Sequence, residues 1–270
     1  MEIYLFMRID NMNCKKIKET ICDWIEAHLK ESGCSGFVVG VSGGIDSAVV
    51  STLCALTKVP TIVVGMPINQ EEGQVNRSIS HMKWLSENFS NVSYKNIDLT
   101  EAYNAYKTTL SSINISELAD ANLQSRLRMC CLYGVANTEN FMVAGTGNKV
   151  EDYGIGFFTK YGDGGVDISP IADLLKSEVR QMASFLGISE EIINAKPTDG
   201  LWGDNRSDED QIGATYEELE WALDFHDSGE KSTNLSERQT EVLSIYRNRH
   251  LNTKHKLEPP PVCYISKELK

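Results

Sequence analysis

The apolar run Phe37-Val38-Val39-Gly40-Val41 leads directly into Ser42-Gly43-Gly44-Ile45-Asp46-Ser47, and an apolar helical stretch then continues through Leu56. A run of that length reads as a buried strand, so the order is strand, glycine loop, helix. Adjacent glycines let the main chain approach a ligand closely, and loop N–H groups together with a helix N-terminus make an anion site. Phosphate is the expected anion. The loop lacks the Gly-Lys-Ser/Thr ending of a Walker A sequence and the G-x-G-x-x-G of a dinucleotide fold. Asp46 stands where Walker A has lysine, and a carboxylate beside phosphates makes sense if it holds Mg²⁺. The plainer alternative is a tight turn in which Asp46 or Ser47 only caps the helix.

Around this unit the chain alternates helix and strand. Ile17, Ile21, Ile25 and Leu29 mark an amphipathic helix that ends at Gly33. Thr61 to Gly65 reads as a second buried strand, Gln74 to Phe89 as a helix, and Val92 to Ile97 as a third strand. Helices over Thr100 to Leu110 and Leu118 to Thr138 precede a fourth strand, Phe141 to Gly145. A glycine-rich stretch, Gly154 to Gly165, is followed by a helix over Asp173 to Leu186 that Gly187 can cap. Asp199 to Gly213 is polar and long for a connection, hence a candidate mobile lid. Helices over Tyr216 to Phe225 and Glu237 to His250 come before Pro259-Pro260-Pro261, where regular structure should end. Strands separated by helices predict an α/β fold: a doubly wound, Rossmann-like parallel sheet with helices on both faces.

With 270 residues and 41% hydrophobic content the chain can bury a sizeable core, and one domain over residues 1–270 is expected. The formal charge of −12 has the wrong sign for a broad nucleic-acid-binding face, so a polyanionic ligand needs a local basic pocket. Seven cysteines, an odd number with no Cys-x-x-Cys pair, read as reduced thiols serving as small core residues. Glu2 precedes the short apolar run Ile3 to Met7 and no cleavage site follows, which argues against a secretory signal. No apolar stretch reaches membrane-span length. A cytoplasmic address is expected.

Ser-Gly-Gly-x-Asp-Ser at 42–47 resembles the pyrophosphate loop of the ATP pyrophosphatases, whose fold is adenine nucleotide alpha hydrolase-like. Four further blocks narrow the resemblance: Asn122 to Met129, Gly145-Thr146-Gly147-Asn148-Lys149-Val150-Glu151 with Gly156 to Asp167, Pro197-Thr198, and His255-Lys256. In this order they resemble the ammonia-dependent NAD synthetases, over about residues 15 to 262. The resemblance implies adenylation of the deamido-NAD carboxylate by ATP, followed by displacement of AMP by ammonia. It implies that Gly40, Val41, Ser42, Gly43, Gly44, Ile45, Asp46 and Ser47, with Thr146, Lys176 and Thr198, bind ATP. Asp46 and Glu151 would hold Mg²⁺, and Asp46 and Lys176 would serve catalysis. Arg126, Lys160, Asp167, His255 and Lys256 would bind deamido-NAD, and a homodimer is expected.

Some residues stay unassigned. Lys176 lies early in a helix, where the dipole opposes a cation, so phosphate explains it better than helix stability does; taken alone it would read as a surface lysine. Arg126 and Arg128 cannot share one helix face, and only Arg126 matches the family ligand. Phe157-Phe158 reads as a core plug or a ring-stacking pair. His28, His81, His226 and His250 receive no role, nor does Asp199, which is displaced by one place from the family's usual acid. Only 41 residues precede the phosphate loop, too few for a glutaminase domain, so free ammonia is the implied nitrogen source. Two alternatives are another ATP pyrophosphatase acting on a different carboxylate or carbonyl, and a non-catalytic ATP-binding module of the same fold.

Overall fold

Residues 37–41 form the centre of the molecule because they are apolar on both sides, as a strand covered on both faces must be. The computed structural model describes residues 12–202, 206–229 and 234–270; the run Ile3 to Met7 lies outside them. Strands β1 (Phe37–Gly40), β2 (Thr61–Gly65), β3 (Val92–Asn96) and β4 (Met142–Ala144) form a parallel sheet in the order β3-β2-β1-β4. Phe37 pairs with Thr61 on one side and Met142 on the other, so all three strands start level.

The helices, in chain order, are α1 (Cys14–Ser32), α2 (Ile45–Leu56), α3 (Glu72–Asn88), α4 (Thr100–Thr109) and α5 (Glu117–Glu139). They continue with α6 (Lys176–Phe185), α7 (Glu190–Ile193), α8 (Asp208–Ile212), α9 (Tyr216–Ser228) and α10 (Glu237–Leu257). Side-chain alternation along the strands builds two layers. Phe37, Val39 and Val63 pack with Ile25 of α1, Leu53 of α2, Met82 of α3 and Met182 of α6. Val38, Ile62, Val64 and Val143 face the opposite way, onto Ala136 and Leu132 of α5. A third cluster joins α9 and α10, through Leu219, Leu223, Leu243 and Tyr246, to Val150 and Ile155. Helices on both faces of a parallel sheet match the predicted architecture.

Several elements differ from expectation, and the start of α6 has a clear local cause. Helix α6 starts at Lys176 rather than Asp173, because the Leu175 N–H is taken by the Glu178 carboxylate at 2.8 Å, which caps the helix there. Helix α10 runs on to Leu257, placing His255 and Lys256 on its last turn. The segment expected as a lid holds the short helix α8, and its residues 203–205 lie outside the described ones. All seven cysteines are free, as expected, but only Cys54 is fully buried, and Cys130 and Cys263 are exposed. Among the described residues no helix is long and apolar enough to cross a membrane.

His81 on α3 is a structural residue with a consequence for stability. It is buried, with Nε2 3.0 Å from Ser51 Oγ of α2. Burial pushes its imidazole down from the usual 6.5 to about 4. Between those values the unfolded chain binds a proton that the folded chain refuses, so stability falls as pH drops. The contribution is intact above pH 6.5, and about 2 kcal/mol of it should be lost by pH 5. Melting temperatures from pH 7.5 to 5 should fall more steeply for the parent than for His81→Gln; parallel curves would contradict this.

Candidate active site

The carboxyl ends of β1, β2 and β4 lie within two residues of one another and set the stage. In the order β3-β2-β1-β4 the sequence direction reverses between β1 and β4, and in open α/β sheets ligands bind at the carboxyl ends beside such a switch point. The glycine loop leaves β1 here, and Gly145 to Asn148 leaves β4. Gly43 takes φ +85°, a left-handed conformation that favours glycine, and a Cβ there would stand 2.5 Å from the Gln74 carbonyl oxygen. Helix α3 therefore packs directly onto the loop, and Ser78 Oγ fastens it by donating to the Val41 carbonyl at 2.7 Å.

Helix α2 begins at Ile45 with Gly44 as its N-cap and takes no side-chain cap. Ser47 Oγ accepts from the Ser42 N–H at 3.2 Å and donates to the Gly44 carbonyl at 2.9 Å, so it shapes the loop instead of capping the helix. Asp46 does not cap either. Its Oδ1 accepts from Asn148 Nδ2 at 3.0 Å and its Oδ2 lies 2.6 Å from Lys176 Nζ. The tight-turn alternative thus loses its two candidate caps.

Lys176 Nζ also lies 2.9 Å from Glu151 Oε1, so one ammonium bridges acids that follow β1 and β4. Lys176 is 3% exposed. Far from a surface lysine, it begins α6 with its charge inside the protein. Burial works against that charge, but the two carboxylates outweigh it and hold the ammonium's proton more tightly than usual. Burial pushes the Asp46 carboxyl up despite the pull of Lys176. Glu151 feels the same burial, yet Lys176 and the Tyr216 hydroxyl hold it below the usual glutamate range.

Three supporting residues escaped the sequence reading. Asn148 is fully buried, and its Oδ1 accepts from the Val150 and Glu151 N–H groups at 3.1 Å while its amide holds Asp46. It lies within the Gly145–Glu151 block, which is the signal that sequence offers for it. Tyr216 of α9 donates its hydroxyl to Glu151, and Lys176 Nζ sits 4.9 Å from the centre of its ring. One turn further along α9, Glu220 accepts from the N–H and hydroxyl of Ser177 at 2.8 and 2.7 Å, fixing the start of α6. Asp208 is also buried and its pKa is pushed up to about 7, first by burial and then by Glu151 and Asp199.

Two clefts meet at the loop. A polar one is lined by Ser42 to Ser47, Glu151, Lys176 and Thr198; a more apolar one by Gly40, Val41, Met66, Val75, Leu132 and Val166. Thr146 faces both. Arg128 helps wall the second, its Nε donating to the Met66 carbonyl at 3.0 Å. Asp199, unassigned from sequence, organises its own segment by accepting from the Leu201 N–H and from Trp202 Nε1, each at 3.1 Å.

Four of the residues expected to bind the second substrate gather around loop 156–160. Arg126 Nη2 donates to the Lys160 carbonyl at 3.3 Å, and Lys160 Nζ donates to the His255 carbonyl. Lys256 Nζ donates to the Gly156 and Phe158 carbonyls at 2.8 and 2.7 Å and lies 5.2 Å from the Phe158 ring centre. All these contacts form within one chain. Asp167 is held elsewhere, accepting from the Val143 N–H at 2.8 Å and the Tyr133 hydroxyl at 2.9 Å.

Residues 17–260 match the family model described as NAD synthase. The chain belongs to that family. The NH(3)-dependent NAD(+) synthetase of Archaeoglobus fulgidus is 39% identical over 258 residues, covering 94% of this chain and 98% of the relative. That of Syntrophomonas wolfei is 38% identical, covering 96% and 100%. Among solved structures, the NMN synthetase of Francisella tularensis superposes with a TM-score of 0.83 at 30% identity, over 94% of this chain and all of that one. The NH3-dependent NAD synthetase of Campylobacter jejuni, solved with nitrate, gives 0.77 at 26% identity over the same shares. Family membership and fold agree with the resemblance drawn from the five sequence blocks.

Proposed function

We propose that this chain uses ATP to join ammonia to deamido-NAD, giving NAD, AMP and pyrophosphate. The observation that carries this reading is the convergence of Asp46, Glu151 and Lys176 beneath a glycine loop at the switch point, in a member of the NAD synthase family. The apolar cleft suits the adenine and the polar cleft the phosphates, with Gly40 to Ser47, Thr146 and Thr198 as contacts. A nicotinate carboxylate oxygen attacks the α-phosphorus, the bond to the bridging oxygen breaks, and pyrophosphate departs. Ammonia then attacks the acyl carbon, AMP leaves, and the nitrogen sheds a proton. Lys176 stabilises the charge that grows on the departing pyrophosphate. Arg126, Lys160, Asp167, His255 and Lys256 take deamido-NAD. The same reading has the described residues as one catalytic domain, working as a homodimer in the cytoplasm.

The donor set suits Mg²⁺. Two largely buried carboxylates already converge on a cation, the Lys176 ammonium, and Mg²⁺ is commonly held by one or two carboxylates with phosphate oxygens and water. Among the described residues no group of three or more His, Cys, Asp or Glu side chains is arranged around a metal position, in keeping with a site that the nucleotide completes. Bound by Asp46 and Glu151, Mg²⁺ would offset the repulsion between these acids and the phosphates.

The test mixes the pure protein with ATP, Mg²⁺, ammonium and either deamido-NAD or deamido-NMN, the latter because one structural match is an NMN synthetase. NAD, AMP and pyrophosphate should form in equal amounts; ADP and orthophosphate would refute the reaction. Asp46→Asn should lower kcat by roughly a hundredfold or more while staying folded, since Asp46 is not a cap and Lys176 keeps Glu151 as its partner. Parent rates with the usual Mg²⁺ dependence would remove Asp46 from the metal site.

A further inference from the structure

The polar cleft contains a cation that the proposed chemistry has not used. Arg77 projects from α3 beside the glycine loop, and a Cβ on Gly43 would stand 3.4 Å from its own Cβ. The Ser78–Val41 hydrogen bond fixes that stem in place. The cleft's other cations include Lys176, which bridges two acids, and Arg180, which pairs with Glu217 at 3.5 Å. Arg77 differs. Its Nε is buried with no hydrogen-bond partner, and Nη1 lies over Gly73, on the side where the Glu71 carboxylate is also found. A buried donor left unpartnered carries a standing cost, which a suitable acceptor entering the cleft removes.

We infer that Arg77 is a phosphate-binding residue of the nucleotide site, turning its guanidinium onto the β- and γ-phosphates held by the glycine loop. The inference rests on the reading of that loop as the ATP cradle. A guanidinium suits the task because its planar fork can donate two parallel bonds to one phosphate group. The gain is set by the difference between two states: an orphaned Nε–H before binding and a charge-assisted bond after it. The same contact persists on pyrophosphate after the α-phosphorus bond breaks, so Arg77 should also retain the leaving product.

Calorimetric titration with ATP and with inorganic pyrophosphate, without deamido-NAD, tests this. Arg77→Gln should weaken both about tenfold, with Arg77→Lys in between because it keeps charge but loses the fork. The Kd of deamido-NAD and the melting temperature should match the parent. Unchanged ATP and pyrophosphate affinities in Arg77→Gln would overturn the inference while leaving the loop's role intact. An equal loss for deamido-NAD would overturn it too, by showing general damage. If the parent itself binds neither ATP nor pyrophosphate, the reading of the loop fails and takes this inference with it.

Discussion

Lys176→Met should lower kcat by two to three orders of magnitude and the melting temperature by about 10 °C, the largest combined effect expected of any single substitution here. The catalytic loss follows from removing the charge that meets the departing pyrophosphate. The stability loss follows from burial: Lys176 is 3% exposed, and without it two carboxylates face each other at one point. Leaving buried charge uncompensated costs about 3–5 kcal/mol. The sign of the pH dependence is diagnostic. In the variant the acids should titrate above their unfolded values, so the folded state binds protons more tightly and stability should recover on acidification. Melting curves at pH 8 and 5.5 read this directly, and a variant that melts like the parent at both would mean the bridge contributes nothing.

Gly43→Ala should abolish measurable ATP binding, a loss of about a hundredfold or more. Two penalties coincide at this position. A left-handed φ of +85° costs a side-chain-bearing residue about 1–2 kcal/mol, and the new methyl would meet the Gln74 carbonyl at 2.5 Å and the Ser78 N–H nitrogen at 3.1 Å. Backbone cannot yield as a flexible side-chain tip does, so α3 must shift and carry the Ser78–Val41 tie with it. Nucleotide titration of the folded variant is the measurement; ATP affinity within threefold of the parent would show that the loop is no phosphate cradle.

What could be read from sequence was what neighbouring residues determine. The run Phe37 to Ser47 announces strand, loop and helix because each step depends on positions a few residues away. Asp46, Glu151 and Lys176 were legible through blocks quoted for the family, but their sharing of one buried ammonium was not. Asn148 reaches Asp46 across 102 residues and Tyr216 reaches Glu151 across 65, and no local periodicity encodes such meetings. The start of α6 is hidden from sequence for a similar reason. Asp173 pairs with Lys149 at 2.9 Å, outside the helix, and the stop set by Glu178 lies in a side-chain bond that hydrophobic spacing does not reveal. His81, given no role from sequence, is a buried partner of Ser51 whose imidazole makes the fold acid-sensitive.

An ammonium joined to acids from both sides of the switch point acts as a latch across the crevice, one made of charge and not of interlocking apolar surface. Dissolved ions weaken charge interactions at the surface far more than those sealed inside. Raising ionic strength should therefore screen the repulsion between a chain of formal charge −12 and a polyanionic nucleotide and speed their encounter, yet leave the resting width of the crevice as it was, separating how often the partners meet from the shape they meet.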